Sequence, residues 1–172
     1  MSIKLNITIN FFVFFIKMFY LATTRFNTKT WNENCKWREK NDWKGCVYGS
    51  PVRISDKYMI NAHMFVLEMH NDKNKIQGIG LFKNRIVIGK YHKIYNNDGN
   101  YNRYTYKGIH RISRKQLTNK QKKIIRILDI LVFKGSRHLK RGQGIKVVPE
   151  WITINKHIDF IGFFQNLFQL HS

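Results

Sequence analysis

Acids, cysteines, prolines and alanines are all scarce in this chain. Ten Asp and Glu stand against 31 Lys and Arg, two cysteines and two prolines serve 172 residues, and alanine occurs twice. Ten scattered carboxylates supply little of the clustered acid that metal-dependent nucleases need. The seven histidines show neither His-x-x-x-His nor His-Glu-x-x-His spacing, so no catalytic residue, metal site or cofactor is expected. Cys35 and Cys46 have no partner at metal-ligand spacing. Cys46, beside Val47 and Tyr48, reads as a buried free thiol, which fits a reducing compartment. The apolar run at residues 11–16 is preceded by Asn10 and broken by Lys17, too short for a helix that spans a membrane.

What is abundant is positive charge. A net charge of +21 and a pI of about 10.2 give a surface that attracts polyanions and meets them quickly at low salt. Lys outnumbers Arg 21 to 10, and Asn reaches 17 and Ile 22. A/T-rich coding sequence produces this bias, so part of the lysine excess is mutational in origin. In the same bias the chain resembles proteins of large DNA viruses.

A length of 172 residues suits one domain with a real core, and 43% apolar content excludes global disorder. The expected division is an N-terminal extension at 1–17 and a single domain at 18–172 with a basic C-terminal part. Two other readings of 1–17 stand beside it: a membrane or secretory segment, for which Lys4 precedes an apolar core but no small-x-small cleavage site follows, and an extra structured element.

The segment Cys46–Leu81 holds the sharpest pattern. Met64–Leu67 is a continuous apolar run, His70–Asn74 a polar turn, and Ile76–Leu81 a returning strand, which together predict a hairpin. Gly78 and Gly80 lie two apart and so share a strand face, leaving room for a ligand, a bulge or a close crossing of backbone. Tyr48-Gly49-Ser50-Pro51-Val52-Arg53, followed by a strand and Lys75-Ile76-Gln77-Gly78-Ile79-Gly80, resembles the EVE branch of the PUA-like superfamily, whose relatives include YTH, ASCH and PUA domains. Phe19–Thr24 is similar to that family's first strand. The chain departs in having Tyr48 where Trp is usual, and Ile60-Asn61-Ala62-His63 where a Gly-Asp turn is usual. The resemblance spans roughly residues 18 to 112. It implies an α+β fold built on a curved, barrel-like mixed sheet with flanking helices, and recognition of nucleic acid, in some branches of a modified base held in an aromatic pocket. On that reading the base pocket comprises Trp43, Tyr48, Gly49, Ser50, Pro51, Gly78 and Gly80.

Elsewhere, Phe19–Phe26 predicts a strand and 29–44 a helix or ordered loop bearing Trp31, Trp37 and Trp43, which share no helical face. These tryptophans serve either as stacking platforms or as core anchors. Arg85–Gly89 predicts another strand, Asn96–Asn100 a turn, and the residues after it a strand with Tyr104 and Tyr106 on one face and Arg103 and Lys107 on the other. From Arg103 to Lys146 there are fourteen Lys or Arg and a single acid, Asp129. Within this stretch 117–133 predicts a helix capped by Thr118 or Asn119, with an apolar stripe from Ile124 to Val132. Its early cations, Lys120, Lys122, Lys123 and Arg126, oppose the helix dipole. Lys134 to Gly144 then joins three glycines to Lys134, Arg137, His138, Lys140 and Arg141, a loop suited to phosphate although it lacks the Gly-Lys-Ser/Thr order of a nucleotide-binding loop. With Arg53, Arg103 and Lys107, these five are the phosphate-binding candidates. A turn at 149–151 and a helix at 158–170 close the chain.

Three functions are therefore expected, in order. The first is a nucleic-acid-binding module that holds a modified or extruded base in an aromatic pocket. The second is a nucleic-acid hydrolase built around Glu68, His63 and His70. The third is a basic structural or packaging protein. The partner is RNA or DNA in each case, with no small-molecule cofactor and no membrane. An intracellular location is expected, in host cytoplasm or nucleus for a viral protein, or in the virion.

Overall fold

A computed structural model describes residues 19–170; the expectations for residues 1–17 and the boundary at 18 lie outside them. Apolar runs buried on both faces set the central sheet. β1 (Phe19–Phe26), β3 (His63–His70) and β4 (Lys75–Lys83) form its middle, with β6 (His110–Ser113) and β7 (Lys146–Val147) at its edges, in the order β6-β4-β3-β1-β7. β1 runs parallel to β3, and the other pairings are antiparallel. The predicted hairpin is β3–β4. Its ladder slips between Leu67 and Met69, so that Gln77 and Gly78 stand opposite Glu68 alone, as in a β-bulge.

Both sheet faces are covered. On one, Phe65, Leu67, Ile79 and Leu81 pack against α2 (Asn119–Phe133), α3 (Glu150–Thr153) and α4 (Phe160–Leu167). α2 matches the predicted helix: Thr118 caps it by accepting from the Gln121 amide, and Ile125, Leu128, Val132 and Phe133 are its buried stripe. Asp129, the lone acid of the basic stretch, accepts from the Ile76 amide at 2.8 Å and pairs with Arg114 at 2.7 Å, fastening α2 to β4. α4 is shorter than the predicted 158–170; Phe168 stacks on Phe65 at 5.8 Å and Phe164 packs against it, tilted, at 5.6 Å.

On the other face lie α1 (Thr28–Lys40) and an antiparallel ribbon of β2 (Cys46–Ser50) and β5 (Tyr104–Gly108). The ribbon presses Tyr48 and Tyr106 onto Phe82 of the sheet. The fold is thus α+β with a mixed sheet. Among the described residues the two sheets share no ladder and do not close into a barrel. Arg85–Gly89 is not a strand: only Val87 is tied to β5, its amide donating to Thr105 at 2.8 Å, and Gly89 turns the chain with φ of +79°.

Candidate nucleic-acid interface

Glu68 occupies the bulge on the ribbon-covered face. It is 1% exposed, and its carboxylate accepts from the Tyr48 hydroxyl at 2.8 Å and from Arg111 Nε and Nη2 at 2.8 and 2.6 Å. A bidentate guanidinium is what makes a buried carboxylate tolerable. Burial by itself pulls the Arg111 guanidinium down, but the charge and hydrogen bonds of Glu68 outweigh it and hold Arg111 above its ordinary value. Burial, then the Glu68 charge, pushes the Tyr48 phenol well up, so it stays protonated and donates. The two glycines make this packing possible. A Cβ on Gly78 would run into Glu68 and Arg111, and one on Gly80 into the Tyr48 hydroxyl and Cys46. The free space expected beside Gly78 and Gly80 is therefore filled by the chain itself. Tyr48, at 0% exposed, is a core residue and not the wall of an open pocket. Cys46 is a buried free thiol that burial pushes up to about 12.

Trp43 stands at the far end of the ribbon. Its indole N–H donates to the Cys46 carbonyl at 3.0 Å, and Lys107 Nζ lies 3.9 Å from its ring centre and 5.5 Å from that of Trp37. Trp31 packs edge-on against Phe26 at 5.3 Å, an anchoring role. Lys107 thus leaves the other phosphate-binding candidates and belongs with these tryptophans.

Four of the remaining candidates, Arg53, Arg103, Lys140 and Arg141, lie at the opposite end of the ribbon. Gly144, with φ of +65°, approaches so closely that a Cβ there would meet Ser50 Oγ, with Pro51 alongside. The end of β2 at Ser50–Pro51 and the basic glycine loop, distant in sequence, thereby touch. Arg53 and Arg103 both stand over the Tyr104 ring, at 5.2 and 5.4 Å from its centre, and Tyr104 pairs with Ser50 across the ribbon. The loop is held from within by Arg25, which sequence reasoning missed. Its guanidinium donates to the carbonyls of Leu139, Gly142 and Gly144 at 3.2, 3.2 and 2.9 Å, and to Thr23 Oγ1 at 3.0 Å. Burial lowers the Arg25 pKa, yet an arginine keeps its charge at any ordinary pH. With its carbonyls turned toward Arg25, the loop leaves the Arg141 side chain exposed. Lys134, the C-cap of α2, is exposed, Arg137 covers Trp151 of α3 at 4.6 Å, and His138 Nδ1 accepts from the Lys140 amide at 3.3 Å.

Between the loop, β1 and α1 is a groove of about 420 Å³, and of the expected pocket residues Gly49 alone lines it. A Cβ on Gly49 would strike the Tyr101 carbonyl, which lets the 94–102 segment lie against the ribbon. Tyr95 and Tyr101 form an aromatic wall, edge to face at 6.3 Å, with Tyr95 buried and Tyr101 half-exposed. Arg25, Lys29 and Lys140 supply positive charge, Glu33 and Asp98 negative charge, and Asn27, Asn71 and Asn97 amides. Asn71 donates to the Lys140 carbonyl at 3.1 Å, and its buried Oδ1 has no partner. Buried Asn102 fixes the tyrosines: it accepts from the amides of Ile94 and Tyr95 at 2.9 and 3.0 Å and donates to the Tyr95 carbonyl at 2.6 Å. The Asn-Asp-Gly turn signal lies within this segment, but nothing local in the sequence shows that Asn102 staples it.

The residues of the hydrolase reading do not come together. Glu68 is taken by Arg111. His63, at the other end of β3, stacks on Phe19 at 4.9 Å. His70 is buried beside Trp31 at 5.9 Å, with neither ring nitrogen hydrogen-bonded. Burial, then Lys83 and Lys73 respectively, lowers both imidazole pKa values. Among the described residues no group of three or more His, Cys, Asp and Glu is placed to hold a metal ion, and no helix is long and apolar enough to cross a membrane. Comparison with protein-family models, with curated proteins and with solved structures finds no match.

Proposed function

We propose that the protein is a nucleic-acid-binding module of PUA-like type. One base of a single-stranded or locally opened segment enters the groove beside Gly49 and stacks on Tyr101, and the flanking phosphates lie on Arg53, Arg103, Lys140 and Arg141. The observation that carries this reading is convergence: the Gly49–Arg53 stretch at the end of β2, the Gly142–Gly144 loop and the groove meet at one end of the ribbon. A groove with an aromatic wall, amides and a cationic rim suits a base and its phosphates together. The PUA-like assignment is supported by the ribbon folding over the sheet, with only Ile109 between β5 and β6. An intracellular setting agrees with two free thiols.

Fluorescence anisotropy with single-stranded RNA and DNA tests the reading. The variant Arg53→Ala/Arg103→Ala/Arg141→Ala removes three exposed cations that do not hold the fold, and should bind every sequence more weakly. The slope of log affinity against log salt should flatten by about two to three. An unchanged slope would remove this end of the ribbon from the binding surface.

A further inference from the structure

A second groove, of about 620 Å³, lies away from the first, between the 85–88 segment and the β5–β6 corner. Two isoleucines from separate segments line it nearly bare: Ile88 is 83% exposed and Ile109 is 70% exposed. The fold holds both there. Ile88 follows the one amide, that of Val87, that ties its segment to β5. Ile109 is the single residue between β5 and β6, at a corner so tight that a Cβ on Gly108 would strike the Leu81 carbonyl. Charge at the groove has one sign. Lys83, Arg85 and Lys107 line it with two histidines, and no acidic residue does among the described residues. Lys107 is held against Trp43 and makes no salt bridge among the described residues. Burial, then the charge of Lys90, lowers its pKa, so a carboxylate arriving here would meet an ammonium already stripped of part of its water.

We propose that this groove docks an acidic peptide segment whose acids alternate with branched or aromatic apolar side chains. Carboxylates would pair with Lys83, Arg85 and Lys107, while the apolar side chains cover Ile88 and Ile109. Protein interfaces join apolar anchors to a charged rim in this way. A nucleic acid would satisfy the cations but would gain little from two bare isoleucines. The proposal is independent of the nucleic-acid reading, which uses the other end of the ribbon.

The test compares two short fluorescein-labelled peptides of equal charge, one alternating Glu with Leu and one alternating Glu with Ser. The full chain should bind the Glu/Leu peptide about tenfold or more tightly than the Glu/Ser peptide. In Ile88→Ser/Ile109→Ser, whose exposed sites should leave thermal unfolding unchanged, the difference should vanish while oligonucleotide affinity stays as in the parent. Lys83→Glu/Arg85→Glu should weaken both peptides and keeps the test decisive if the isoleucine variant folds poorly. Equal binding of the two peptides, binding of neither, or a preference that survives in Ile88→Ser/Ile109→Ser overturns the proposal. Loss of oligonucleotide binding in that same variant also overturns it, because the groove would then belong to the nucleic-acid surface.

Discussion

Replacing Glu68 by Gln should cost this protein much of its stability. Glu68 accepts three hydrogen bonds, two of them from a guanidinium almost as buried as itself. The amide would leave the Arg111 charge uncompensated under the ribbon. Breaking a buried pair by removing one partner costs about 3–5 kcal/mol, against a total stability of roughly 5–15 kcal/mol for a domain. With a urea slope of about 1–3 kcal/mol per molar, the unfolding midpoint should fall by roughly 2 M. The triple variant Glu68→Leu/Arg111→Met/Tyr48→Phe removes both charges and the hydroxyl together. It should be less damaged than Glu68→Gln, because no buried polar group is left alone. Urea unfolding followed by tryptophan fluorescence measures both. A Glu68→Gln loss below about 1 kcal/mol, or a triple variant worse than the single one, would refute the reading of Glu68 as a structural anion. A stable Glu68→Gln protein that had lost a nuclease activity would instead restore the hydrolase reading.

Gly80→Ala places a methyl group against the Tyr48 hydroxyl, and should cost about 1–3 kcal/mol in urea unfolding while leaving the oligonucleotide affinity of the folded fraction intact. Arg25→Lys keeps the charge but cannot reach three loop carbonyls at once, so amides of 139–145 should exchange faster and binding should weaken several-fold at an unchanged salt slope. Lowered His70 and His63 pKa values mean that the folded state binds fewer protons than the unfolded one below about pH 6.5. Stability is therefore full above that pH and falls as pH drops through it. His70→Leu should make the decline in thermal midpoint shallower.

Local signals exposed much of the architecture, and long-range partners explain what they missed. The apolar stripe of α2 and its Thr118 cap rest on 3.6-residue periodicity and one side-chain bond, so the helix was plain. The β3–β4 hairpin showed itself through Met64–Leu67 and the polar turn. The shared face of Gly78 and Gly80 was legible too, but its occupants were not: Tyr48 and Arg111 reach Glu68 from 20 residues before it and 43 after it. Sequence spacing gives no hint of such a meeting, and a space made by glycine looks the same whether a ligand or a tyrosine fills it. Arg25 was hidden for the same reason, its loop partners being 114 to 119 residues away. Arg85–Gly89 misled because Ile-Val-Ile has strand composition, whereas the segment gains one ladder bond and leaves Ile88 in solvent. The groove beside Gly49 is assembled from β1, α1, the 94–102 segment and the basic loop, so no single stretch announces it. Gly49, Ser50, Pro51, Arg53, Arg103, Lys140 and Arg141 were named from sequence, while Arg25, Lys29, Tyr95, Tyr101 and Asn102 emerged only from the fold.

The most direct measurement is the affinity of Tyr101→Ala for a panel of single-stranded oligonucleotides, with and without modified bases, across a salt series. Stacking on one aromatic is worth roughly 1–3 kcal/mol, so the variant should bind about five- to over a hundredfold more weakly than the parent, with the same salt slope and an unfolding midpoint close to the parent's. Any preference of the parent for a modified base should shrink in the variant. Equal affinities of parent and variant across the panel, or a parent that binds no oligonucleotide at low salt, would contradict the account.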